Sequence, residues 1–99
     1  MNIPDNIRIG STDYEIQRTI NPIIMDGKAC YGTIDYDFGI IKLNESIQGQ
    51  QQLEKTFLHE VLHGMLREQN IIVEDEEEIV EKLAISLYQL IRDNQELFK

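Results

Sequence analysis

Residues 56–68 read TFLHEVLHGMLRE, and by this point the periodicity of the chain has changed from two to about 3.6 residues. Working outward, Leu53, Phe57, Leu58, Val61, Leu62, Met65 and Leu66 recur at helical spacing. No proline interrupts residues 50–69, and most of them are good helix formers, so one helix is predicted there. A second is predicted over residues 75–93, with Ile79, Val80, Leu83, Ala84, Leu87, Tyr88, Leu90 and Ile91 as its apolar set. The acidic run EDEEE at residues 74–78 crowds its first turn, where the helix dipole favours negative charge.

Upstream of residue 50 the pattern is strand-like. In IRIGSTDYEIQRTI, residues 7–20, apolar and polar positions partly alternate on either side of a turn at residues 10–13. Asp26-Gly27 is a second turn signal. Residues 29–44, ACYGTIDYDFGIIKLN, predict a β-hairpin that turns near residues 37–39. The expected fold is α+β: a small antiparallel sheet of three to four strands packed on two main helices. An edge strand at residues 40–43 is expected beside the functional site. At 99 residues the chain fits a single domain, 1–99.

Composition excludes several classes of function. Eighteen acidic residues against nine basic ones give a formal charge of −9, which repels phosphate backbones and argues against direct nucleic-acid binding. Cys30 is the only cysteine, so no disulfide can form within the chain, in keeping with a reducing compartment. The opening residues lack a basic head followed by an apolar stretch, and no apolar run approaches the ~20 residues needed to span a bilayer. A soluble, cytoplasmic protein is expected.

The chemistry concentrates in HEVLH, residues 59–63, which contains both histidines of the chain. Residues four apart share one helix face, so His59 and His63 can grip one tetrahedral zinc ion. Glu60 can lean toward the open metal position as general base, taking a proton from the zinc-bound water and passing it to the leaving amine. The plainer alternative is an unligated histidine pair satisfied by other partners. A catalytic zinc takes three protein ligands. With no third histidine, a carboxylate from the second helix is required, among Glu74, Asp75, Glu76, Glu77, Glu78 and Glu81. Glu77 borders the apolar face and is preferred as ligand, with Glu81 one turn on orienting a histidine. Glu81 as ligand remains the main competitor, while Glu78 aligns with Lys82 on the solvent side.

Other residues carry weaker signals. Tyr31, Tyr36 and Tyr88 could each stabilise an oxyanion, although packing with a satisfied hydroxyl explains a tyrosine as well. Gly64 either lets a strand approach the metal helix or is a tolerated helix glycine. Cys30 is expected to be a small buried residue, and Lys42 and Arg67 surface charges.

TFLHEVLHGML followed by EEIVEKLAISLYQLIRDN, with the hairpin CYGTIDYDFGIIKLNES before them, resembles small phage- and prophage-type zinc-binding proteins of the ImmA/IrrE-like group. That group lies within the gluzincins, in which a glutamate on a following helix completes HExxH. The resemblance spans about residues 7–94. It implies a minimal zincin-like fold and a zinc metallopeptidase with His59, His63 and Glu77 as ligands, Glu60 as base and Glu81 as a supporting polar residue. It also implies an intracellular role on a protein or peptide substrate, often a regulatory protein. A rival expectation is a zinc-stabilised interaction or regulatory protein without turnover, since so small a chain has little surface for substrate pockets.

Overall fold

Strand β1 (Asn6–Ile9) and strand β2 (Thr12–Thr19) form the first hairpin of a computed structural model that describes residues 1–98. A second, tight hairpin follows, β3 (Ile23–Met25) and β4 (Lys28–Cys30). Its turn is Asp26-Gly27, with both residues at positive φ (52° and 76°), the backbone that a two-residue type I′ turn requires. Strands β5 (Gly32–Asp35) and β6 (Ile40–Asn44) form the third hairpin, and the Asp35 carboxylate closes it by accepting the backbone N–H groups of Asp37 and Phe38. The turns fall where the sequence places them.

The principal sheet has the order β1-β2-β6-β5, while β3 and β4 form a separate two-stranded sheet. The α+β class is as expected, but the sheet is mixed rather than purely antiparallel, because β2 and β6 run parallel from Glu15↔Ile40 to Thr19↔Asn44. A parallel pair needs a crossover connection, and the β3–β4 hairpin with β5 supplies it. The crossover also corrects the expected edge. Strand β6 is interior, with Ile41 and Leu43 fully buried, and β5 takes the edge position beside the helices.

Helix α1 (Gln50–Glu68) lays Leu53, Phe57, Leu58 and Val61 on Ile9, Tyr14, Ile16, Ile41 and Leu43 of the sheet. Each such side chain contributes roughly 1.5–3 kcal/mol on leaving water. The helix ends where Asn70 turns left-handed (φ 56°) and the Ile71 N–H donates to the Leu66 carbonyl, the wrap that satisfies an orphan C-terminal carbonyl. Glu68 then pins this end to the first hairpin by accepting from the Ser11 N–H (2.7 Å) and the Ser11 hydroxyl.

Helix α2 (Glu76–Asp93) packs mainly on α1 and buries a narrow stripe, Val80, Ala84 and Tyr88. Ile79, Leu83 and Leu90 of its expected apolar set stay exposed, because one neighbouring helix covers only one stripe. The chain enters α2 through Asp75, itself left-handed at φ 56°, and a short 3-10 turn (Gln95–Phe98) follows the helix.

Candidate metal centre

His59 and His63 lie one turn apart on α1, and their Nε2 atoms come within 3.2 Å of each other. Two imidazoles on a tetrahedral zinc, each at about 2.0–2.1 Å, place their nitrogens about 3.3 Å apart, so the pair already has nearly the required bite. Glu77 spans both rings from α2: one carboxylate oxygen is 2.7 Å from His59 Nε2 and the other 2.9 Å from His63 Nε2. These three residues form a group that could hold a metal ion, with their donor atoms within 4.8 Å of one another. Two imidazoles and a carboxylate suit zinc among the divalent ions.

The other nitrogen of each ring is also engaged. His59 Nδ1 is 3.0 Å from Glu81 Oε2, and His63 Nδ1 is 2.7 Å from Glu76 Oε2. With a metal held at the Nε2 atoms, each Nδ1 would carry the proton and donate it to its carboxylate. Glu77 thus meets both Nε2 atoms, while Glu81 meets Nδ1 of His59. Glu78 points away and pairs with Lys82 at 3.0 Å. Glu76 is the residue that sequence reasoning did not single out. It reaches inward because it lies one turn before Val80, in the row that Ala84 and Tyr88 continue along the buried stripe, so that Glu76 and Glu77, about 100° apart around the axis, fall either side of the His63 ring.

Glu60, on α1 beside His59, is buried at 7% exposure and forms part of the cleft wall. Burial pushes its carboxyl pKa up, the two histidines pull against that, and Glu77 and Glu81 add to the rise. A carboxylate held above its ordinary range is a better proton acceptor near neutral pH, as a general base must be. It stands beside a cleft of about 240 Å³ between α1, α2 and the start of β5, whose walls include Tyr31, Lys55, His59 and Ala84.

Two glycines bring the sheet this close. A Cβ on Gly64 would meet Ile9 Cδ1 at 2.9 Å and Ile34 Cδ1 at 3.2 Å, so the glycine after His63 serves close strand approach. A Cβ on Gly32 would meet Thr56 Cγ2 at 2.8 Å and the Lys42 carbonyl at 2.9 Å. Gln48 ties the same corner together, donating to the Tyr31 carbonyl at 3.0 Å and accepting from the Thr56 hydroxyl at 2.7 Å.

The start of β5, at Gly32, lines the cleft. Asn44 N–H donates to the Tyr31 carbonyl (2.9 Å), and the register pairs Gly32 with Leu43 and Thr33 with Lys42. Antiparallel ladders alternate, so Tyr31 and Thr33 bond to β6, while Gly32 and Ile34 turn their N–H and C=O to the open edge. The weaker candidates separate too. Tyr88 is buried in the core, where packing accounts for it. Tyr31 is half exposed on the cleft wall. Tyr36 carries the Arg67 guanidinium 4.7 Å from its ring centroid, and burial together with the charges of Glu76 and Glu60 raises its pKa. Arg67 is exposed, as expected of a surface charge, and stacks on that ring. Cys30 is half-buried at the cleft rim rather than a buried core residue, because β4 runs straight into β5 there.

Compared with protein-family models, curated proteins and solved structures, the chain matches none of them. Among the described residues, no helix is long and apolar enough to cross a membrane.

Proposed function

We propose that this protein is a minimal zinc-dependent metallopeptidase of the gluzincin kind, related to the ImmA/IrrE-like group that its HEVLH motif and second helix resemble. The observation that carries the reading is the convergence of His59 Nε2, His63 Nε2 and the Glu77 carboxylate on one point beside buried Glu60. A bound zinc would supply Lewis acidity and an acidified water. Glu60 accepts the proton of the attacking water as its oxygen adds to the scissile carbonyl. It then delivers that proton to the departing nitrogen as the C–N bond breaks. The free N–H and C=O groups of Gly32 and Ile34 hold the substrate as an added strand. Antiparallel pairing, the stronger arrangement, runs the substrate from the Ile34 end of β5 to the Gly32 end. The substrate is then an extended segment of a cytoplasmic protein or peptide, a regulatory protein if the phage- or prophage-type kinship holds.

A second reading has its own support. Helix α2 packs mainly on α1, and three of its glutamates end on the two histidines, so a metal here would also staple α2 in place. An interaction protein stabilised by zinc needs nothing more. The two readings part on one experiment: metal content by elemental analysis, with cleavage of an unbiased peptide library by the zinc-loaded protein and its Glu60→Gln variant. One zinc per chain with cleavage that disappears in Glu60→Gln supports the peptidase. One zinc with no cleavage by either supports the staple, and absence of zinc defeats both.

A further inference from the structure

Lys55, His59 and His63 occupy one row of α1, spaced four residues apart, so the Lys55 ammonium arises one turn before the first histidine on the same face. It is the only lysine or arginine on the wall of the cleft, among the described residues, and Glu60, Glu77 and Glu81 line the same cleft. Lys28, Lys42 and Lys82 are exposed, whereas Lys55 is half-buried. In a chain of charge −9, no carboxylate among the described residues lies within ion-pair distance of it. Its nearest described partner is the Tyr88 ring, with the centroid 5.7 Å from Nζ. A partly desolvated ammonium without a counter-ion favours an incoming anion more than a solvated one does.

The direction of the groove says which part of a substrate meets it. Gly32 lies against Thr56, next to Lys55, and Ile34 lies against Gly64, beyond His63. A strand added antiparallel to β5 passes the histidines and then runs toward Gly32, Tyr31 and Lys55. The segment that meets Lys55 is therefore the one on the C-terminal side of the scissile bond.

We infer that Lys55 is a specificity-determining residue that selects a carboxylate on the leaving-group side of the bond, which rests on the metallopeptidase reading above. That carboxylate can come from an Asp or Glu side chain next to the scissile bond or from the C-terminus of a short leaving fragment. The apolar wall beside it, Ala84, Ile85 and the Tyr31 ring, accommodates the methylene stem of such a side chain. The net acidity of the chain pulls the other way, toward basic substrates, so the outcome is a local preference that must defeat the global one.

The probes are hydroxamate-capped dipeptides, whose zinc-binding head fixes the register, with Glu, Gln, Leu or Lys in the first position and a free or amidated C-terminus. Acetohydroxamate is the control. Binding to the zinc-loaded protein is measured by calorimetry. Carboxylate-bearing probes should bind about tenfold tighter than their Gln or amide counterparts, the scale of one charge-assisted hydrogen bond. The gain should vanish in Lys55→Met and survive in Lys55→Arg. Whether Glu or the free terminus carries the gain identifies the source. Equal binding of acid and amide forms, a preference for Lys, or a gain that persists in Lys55→Met overturns the inference while acetohydroxamate binding leaves the open metal site standing. If acetohydroxamate fails as well, the metallopeptidase reading falls and this inference falls with it.

Discussion

The Glu76 carboxylate stands 2.7 Å from Nδ1 of His63, on the side of the ring opposite Glu77. With Glu81 doing the same for His59, the Nδ1 atom of each imidazole meets a carboxylate that orients its ring. Removing such an outer partner typically costs 10–100-fold in metal affinity. Glu76→Ala and Glu81→Ala should each weaken zinc binding by about that much in competition with a chromophoric chelator. Glu76→Gln keeps an oxygen able to accept from Nδ1–H, so its loss should be smaller. His59→Ala and His63→Ala, which delete a ligand outright, should lose far more. An unchanged affinity in Glu76→Ala would show that the His63 ring is positioned by packing alone.

Glu60→Gln separates chemistry from stability. Losing a positioned proton acceptor costs about 10²–10⁴-fold in turnover, and zinc content should not change. The same substitution should stabilise the metal-free fold at neutral pH. The Glu60 carboxyl pKa is raised in the folded state, chiefly by burial, so the folded protein holds that proton more tightly than the unfolded chain. A raised carboxyl leaves stability intact below the unfolded pKa and erodes it as pH rises through the folded value. Glutamine removes that erosion. The Tm difference between variant and wild type, measured in chelator, should therefore be positive near pH 7 and shrink toward zero below the ordinary glutamate pKa. A difference independent of pH would contradict the assignment.

Metal removal should loosen α2 before the rest of the molecule. Helix α2 rests mainly on α1 and buries only Val80, Ala84 and Tyr88, while its first turn brings Glu76 and Glu77 against the histidines with Glu81 one turn further on. Zinc at 100- to 1,000-fold above its Kd contributes about 2.7–4.1 kcal/mol, and each kcal/mol moves the Tm of a domain this size by about 4–8 °C. Chelation should lower Tm by roughly 10–30 °C. Hydrogen exchange should rise first in residues 76–88, with Ile41 and Leu43 of β6 protected longest. Uniform loss of protection would mean that α2 does not open separately.

The path from sequence to this site was uneven for identifiable reasons. HEVLH was legible because a helix has one period: once residues 56–68 are helical, His59 and His63 must share a face. The same rule set Glu77 and Glu81 one turn apart and turned Glu78 out to Lys82. Glu76 was hidden because the apolar set of α2 is broad, and only packing shows that the row Val80, Ala84, Tyr88, which begins at Glu76, is the one buried. The edge strand was misplaced for a different reason. Alternation in residues 40–43 shows that a strand exists, but only the crossover through β3 and β4 decides that it lies between β2 and β5. Lys55 could have been noticed, since it extends the row of His59 and His63 by one turn, but its half-buried, unpaired state belongs to the tertiary structure.

Gly32→Ala offers a test of how closely the edge strand must approach the metal helix. The new methyl would meet Thr56 Cγ2 at 2.8 Å and the Lys42 carbonyl at 2.9 Å. The carbonyl belongs to the interior strand β6 and cannot turn aside, and Thr56 lies on α1, so β5 must shift. Overpacking of this kind costs about 1–3 kcal/mol. Gly64→Ala is the informative contrast. There the methyl meets only the tips of the Ile9 and Ile34 side chains, and alanine regains about 1 kcal/mol of helix propensity. Denaturant unfolding should therefore show Gly32→Ala as the more destabilised of the two. Because moving β5 shifts the free N–H and C=O groups of Gly32 and Ile34 relative to His59, Gly32→Ala should also weaken binding of extended peptides while leaving zinc affinity nearly unchanged. Full peptide affinity in that variant would rule out β5 as the docking edge.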